Sequence, residues 1–112
     1  MVQNNGLEFE YIVQAFFEER GVSIFETPGS NDFGADLVLY RNGKIAVIQC
    51  KCHSSPVGIH AVQEVVGAIK HYGADAGIVI SNQPFTRQAV ALAHSNHVLL
   101  IDGCMLQAMM DG

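Results

Sequence analysis

The 112-residue sequence has no tryptophan, only three cysteines and three prolines, and six basic residues against eleven acidic ones. Three thiols cannot all pair, and Cys50 and Cys52 fall in one short stretch, so reduced cysteines are expected rather than a disulfide framework. The six cations are Arg20, Arg41, Lys44, Lys51, Lys70 and Arg87, and the net charge is −5. That balance excludes a protein gripping nucleic acid by charge alone, because phosphate binding draws on surplus Lys and Arg. No apolar run is long enough to span a bilayer, and the start lacks the charged-then-apolar pattern of a signal peptide. The expectation is a cytoplasmic protein with no membrane partner. Also missing are C-x-x-C, H-E-x-x-H, G-x-S-x-G, a P-loop and G-x-G-x-x-G, which leaves zinc, serine-hydrolase, NTPase and dinucleotide chemistry without support. A hydrophobic content of 49% with 15% charged residues excludes disorder. The length suits one domain over residues 1–112.

The strongest positive signal is a hairpin over residues 34–51. Two apolar runs flank Asn42-Gly43, a pair suited to a type I′ turn because both central residues need positive φ. With those two residues as the loop, Arg41 faces Lys44 and each later pair sums to 85. Asp36 then lies across from Gln49. Side chains alternate faces along a strand and opposed partners point the same way, so Asp36, Gln49 and Lys51 are expected on one face.

Around this hairpin the chain reads as helices and strands in alternation. Phe9, Ile12, Val13, Phe16 and Phe17 form one stripe of a helix over residues 6–20, with Asn5 as N-cap, Glu8 in capping-box position and Gly21 at the stop. A short strand over 22–27 ends at Pro28-Gly29, and a loop over 30–34 enters the hairpin. Val62, Val65, Val66 and Ile69 mark a helix over about 58–72. Ala76–Ile80 reads as an apolar strand. Phe85, Thr86 and Val90 read as staple, N-cap and N4 of a third helix to about Asn96. Val98–Ile101 is a last strand, and Cys104–Met110 a terminal helix. The order αβββαβαβα predicts an α/β fold whose later strands are parallel and covered by helices.

Each candidate has a plain structural reading beside the functional one. Asp36 opens an apolar strand, where a carboxylate can simply cap nearby amides. Lys51 can be a lysine snorkelling from a strand end. Yet Gln49 and Lys51 end an apolar strand at i and i+2, and polar groups there are costly to bury unpaired. A hard divalent cation takes oxygen ligands, and Asp36, Gln49 and a backbone carbonyl supply them, with Lys51 left to stabilise phosphate charge. Cys50 and Cys52 point to the opposite face as small core residues. Glu10 and Gln63 would not be singled out by pattern: one is an ordinary helix carboxylate, the other an ordinary surface amide.

These residues together resemble the catalytic domain of Mrr-like restriction endonucleases, in the PD-(D/E)xK nuclease superfamily. The resemblance runs through Phe9-Glu10, Gly34-Ala35-Asp36, Gln49-Cys50-Lys51 as a Q-x-K form of E-x-K, Pro56-Val57-Gly58, Ala61-Val62-Gln63-Glu64, Gly67-Ala68, Gly77-Ile78-Val79-Ile80, Phe85-Thr86 and Leu100-Ile101-Asp102-Gly103. It implies a restriction-endonuclease-like fold with a mixed five-stranded sheet flanked by helices. It implies Mg²⁺, or Mn²⁺ in its place, held by Asp36, Gln49 and Glu10. Lys51 matches the motif lysine and Gln63 a second-helix glutamine near the site. The implied activity is metal-dependent hydrolysis of DNA, by a homodimer when both strands are cut. Enzymes of this type usually carry a separate DNA-recognition domain, which is not visible here; a separate recognition partner is one way such a domain could be supplied. Two rival readings are a non-catalytic nucleic-acid-binding module and a Holliday-junction-resolvase-like nuclease.

Overall fold

A computed structural model describes residues 6–27 and 33–112. The expected N-cap Asn5, the Pro28-Gly29 turn and the loop up to Asp32 lie outside these residues. The described elements are α1 (Gly6–Glu19), β1 (Ser23–Glu26), β2 (Leu37–Arg41), β3 (Lys44–Lys51), α2 (Ile59–Tyr72), β4 (Ala76–Ser81), α3 (Arg87–Ser95), β5 (Val98–Ile101) and α4 (Gly103–Asp111). This is the expected order, with boundaries shifted by a residue or two. The five strands form one sheet in the order β1-β2-β3-β4-β5. β1, β2 and β3 are antiparallel neighbours, whereas β3, β4 and β5 run parallel. The switch follows from the connections: a two-residue turn permits only an antiparallel return, and the later crossovers each carry a helix.

Asn42 and Gly43 take φ values of 53° and 77°, the paired positive angles of a type I′ turn. The register runs from Arg41↔Lys44 to Leu37↔Ile48, each pair summing to 85 as the sequence requires. Gly21, two residues past the end of α1, has a φ of +78°. The Gly21 N–H donates to Glu18 O and the Val22 N–H to Phe17 O, a Schellman stop. Thr86 caps α3, its hydroxyl accepting from the Ala89 N–H at 3.2 Å. Asp102 caps α4 in the same way, accepting from the Met105 N–H at 2.8 Å.

Alternation along the strands divides the core into two layers. Val38, Val47 and Val79 pack with Val62, Val65 and Ala68 of α2 and with Ala89 and Ala93 of α3. Leu37, Ile48, Ile80 and Ile101 face the other way, onto Val13 of α1 and Leu106 of α4. Cys50 packs against this second layer, as its parity predicts. The α1 stripe is narrower than its spacing suggests: Val13 and Phe16 are buried, but Ile12 is 42% exposed. Ile12 instead lines an open groove with Leu106, Gln107 and Met110 of α4.

At the carboxyl ends of β3 and β4 two loops are clamped together. The Asn82 side chain accepts from the His53 N–H at 2.9 Å and donates to the His53 carbonyl at 3.0 Å. Gln83 donates to the same carbonyl. Val57 bridges Phe85 in parallel. This clamp fixes the chain two residues beyond Lys51.

Candidate active site

The candidate residues sit on α1, at the head of β2, on β3 and on α2. Asp36 lies one residue before β2 and is 4% exposed. Its N–H donates to the Ile48 carbonyl at 2.8 Å, and its Oδ2 accepts from the Cys50 N–H at 2.7 Å. Its carbonyl accepts from the Thr27 N–H at 3.0 Å, while the Thr27 hydroxyl donates to the Ala35 carbonyl at 2.9 Å. The carboxylate is thus held at the junction of β1, β2 and β3.

The regular ladder ends one pair short of the expected Asp36–Gln49 match. The cause is Gly34. Its φ is +79°, and its Cα lies so close to the Glu64 carbonyl of α2 that no Cβ would fit between them. Ala35 therefore packs in the α2 layer, although Leu37, two residues on, faces α1 and α4. The alternation is broken there, and the Asp36 carboxylate reaches the backbone of Cys50, past Gln49.

Gln49 is 5% exposed. Its Oε1 is buried and accepts no hydrogen bond among the described residues. A buried amide oxygen without a donor costs about 1–3 kcal/mol, and an electropositive partner at this atom would offset that cost. Lys51 ends β3 on the α2 side, with its Nζ 3.2 Å from Glu64 Oε1. Glu64 entered the sequence reading only as part of the resemblance and not as a site residue, because nothing in helical spacing connects it to a strand 13 residues earlier.

Glu10 of α1 approaches from the other layer. Burial, the charges of Asp36 and Glu26, and a side-chain hydrogen bond with Asp36 push its carboxyl up from the ordinary 4.5 to about 7. Burial, then the charges of Asp36 and Glu10, push the Cys50 thiol well above its ordinary range. Cys50 is a neutral thiol, not a nucleophile. The local field is therefore negative, set by carboxylates from α1 and the head of β2. Gln63 is exposed on α2 and makes no side-chain hydrogen bond among the described residues. The structure brings Glu10 to Asp36, and Lys51 to Glu64; it does not tie Gln63 to either.

Among the described residues, no three His, Cys, Asp or Glu side chains form a metal-holding group by themselves. Any cation here depends on mixed oxygen donors: the Asp36 and Glu10 carboxylates and the bare Gln49 amide oxygen. All are hard ligands, which suits Mg²⁺ or Mn²⁺ and not a thiolate-loving metal.

A restriction endonuclease family model, Mrr_cat, matches residues 1–110. The chain belongs to this family. The Mrr_cat domain also resembles solved structures. The DNA modification-dependent restriction endonuclease AspBHI matches at a TM-score of 0.72 and 17% identity, over 96% of this chain and 31% of that one. MspJI restriction endonuclease, solved in complex with a 27-mer oligonucleotide, matches at 0.63 and 23%, over 88% and 25%. AF1548, a protein of unknown function, matches at 0.76 and 18%, over 90% and 62%. At these identities the likeness establishes the restriction-endonuclease-like fold. A curated relative, an uncharacterised mitochondrial protein of Schizosaccharomyces pombe, is 29% identical over 106 residues, 86% of this chain and 42% of its own length. The chain therefore spans less than half of that relative and less than two thirds of these solved chains.

Proposed function

We propose that this Mrr_cat domain is an Mg²⁺-dependent DNA endonuclease, with Mn²⁺ able to replace Mg²⁺. The observation that carries the reading is the buried Gln49 Oε1, with no donor among the described residues, one residue before the Cys50 N–H that holds the Asp36 carboxylate. Asp36, Gln49 and Glu10 would hold the ion. When bound, it supplies an activated water and neutralises charge developing on the phosphate.

The chain's own groups do the rest. Asp36 is fixed by the Cys50 N–H, so its carboxylate needs no reorganisation to bind. The Lys51 ammonium donates to a non-bridging phosphate oxygen and stabilises its charge in the transition state. Glu10, titrating near neutrality, takes up or releases a proton at its carboxylate as the cation and substrate come and go. Gln63 enters as a residue lining the approach to this centre, on the strength of the family resemblance.

Six cations in a chain of charge −5 imply a weak grip on DNA, so specificity comes from outside this stretch, from further chain or from a separate partner. AspBHI and MspJI, which this chain covers to less than a third, support that division of labour. Cutting both strands calls for two centres, hence a homodimer, and reduced cysteines fit a cytoplasmic setting. Replacing Lys51 with Ala should leave the fold intact and reduce cleavage at least ~100-fold; a variant that cuts at the wild-type rate would sink this mechanism. The rival reading, a binding module without turnover, is favoured by the low basic charge. Duplex binding that persists in EDTA with no cleavage in any metal would select it.

A further inference from the structure

We propose that Glu64 is the positioning residue that aims Lys51, and that it joins the two arms of the active site through α2; this rests on the nuclease reading above. Two independent contacts meet at this one residue. Its carboxylate lies 3.2 Å from Lys51 Nζ. Its backbone carbonyl is the surface against which Gly34 is pressed, two residues before Asp36. The side chain therefore touches the lysine arm, and the main chain backs the aspartate arm.

α2 is a firm support for both. Val62 and Val65, flanking Glu64 in the helix, are fully buried. A lysine on a four-carbon stem is otherwise free to swing, and an ammonium carries three N–H donors. Glu64 takes one donor and leaves two for an anionic oxygen, so the head is oriented before substrate arrives. The pair is partly solvated, with side-chain exposures of 25% for Lys51 and 49% for Glu64, and such pairs contribute little to stability. A kinetic effect is therefore separable from unfolding. Residues that orient a reacting group without touching the reaction are typically worth ~10–100-fold.

The test compares wild type with Glu64→Gln, Glu64→Asp and Glu64→Ala, each checked for folding by circular dichroism. Single-turnover nicking of supercoiled plasmid in Mg²⁺ gives the rate constant and the apparent KM. ¹³C relaxation of the Lys51 Cε group gives its order. Glu64→Gln should lose ~10–100-fold in rate with KM within about twofold, and Lys51 Cε should become disordered. Glu64→Asp should recover part of both. An unchanged or faster rate, or a loss confined to KM, would overturn the proposal; so would an unchanged Lys51 order. A faster variant would mean that Glu64 competes with phosphate and does not aim the lysine. If wild type cuts nothing, the nuclease reading fails by itself, and the Lys51 order alone decides whether Glu64 holds that side chain.

Discussion

Glu10 carries the clearest dependence on pH. Its carboxyl is raised from 4.5 to about 7, first by burial and then by Asp36 and Glu26. A raised carboxyl means that the folded chain binds the proton more tightly than the unfolded one. The resulting stability is fully present below about 4.5 and is lost as pH rises through about 7. In EDTA, Glu10→Gln should therefore melt above wild type at pH 8, and the gap should close toward pH 4.5. Thermal melts across that range check the sign; a gap that widens toward acid would contradict it. Gly34 supplies a second prediction. Alanine there needs φ near +79° and a Cβ where the Glu64 carbonyl stands. Left-handed strain and overpacking together cost on the order of 3 kcal/mol, so Gly34→Ala should lower Tm by ~10 °C or more.

The β2–β3 hairpin was readable because its information is local. Asn42-Gly43 demands one turn, and that turn sets every pair down to Leu37↔Ile48. Thr86 was readable for the same reason, since an N-cap is decided within four residues. Its replacement by Ala should cost about 1 kcal/mol, a fall in Tm of about 4 °C that differential scanning calorimetry would resolve. What the sequence did not reveal depends on contacts between distant segments. The Asp36–Gln49 pair was expected from register, yet the close approach of Gly34 to α2 bends the chain first. Glu64 meets Lys51 across a loop, and no periodicity announces such a meeting. Ile12 fell in the α1 stripe, but helical spacing does not reveal that it faces an open groove shared with Leu106, Gln107 and Met110 of α4. Glu10 was marked by family resemblance; its proximity to Asp36 is a result of packing α1 on the sheet.

The architecture puts an acidic centre on an acidic chain, and that combination bears on substrate binding. Few phosphate contacts release few counterions, so affinity for duplex DNA should be weak, with Kd in the ~10⁻⁴–10⁻⁶ M range at physiological salt and a shallow salt dependence. Fluorescence anisotropy in Ca²⁺ across a salt series would measure both. Tight binding with a steep slope would point to a basic surface that the six cations do not provide. The central claim remains the metal-dependent centre formed by Asp36, Gln49, Glu10 and Lys51. It is tested most directly by nicking of supercoiled plasmid, methylated and unmethylated, with wild type and Asp36→Ala in parallel, in Mg²⁺, Mn²⁺ and EDTA. Nicking by wild type alone, abolished by EDTA, is the predicted result. No nicking by wild type in either metal, or equal nicking by Asp36→Ala, would contradict it.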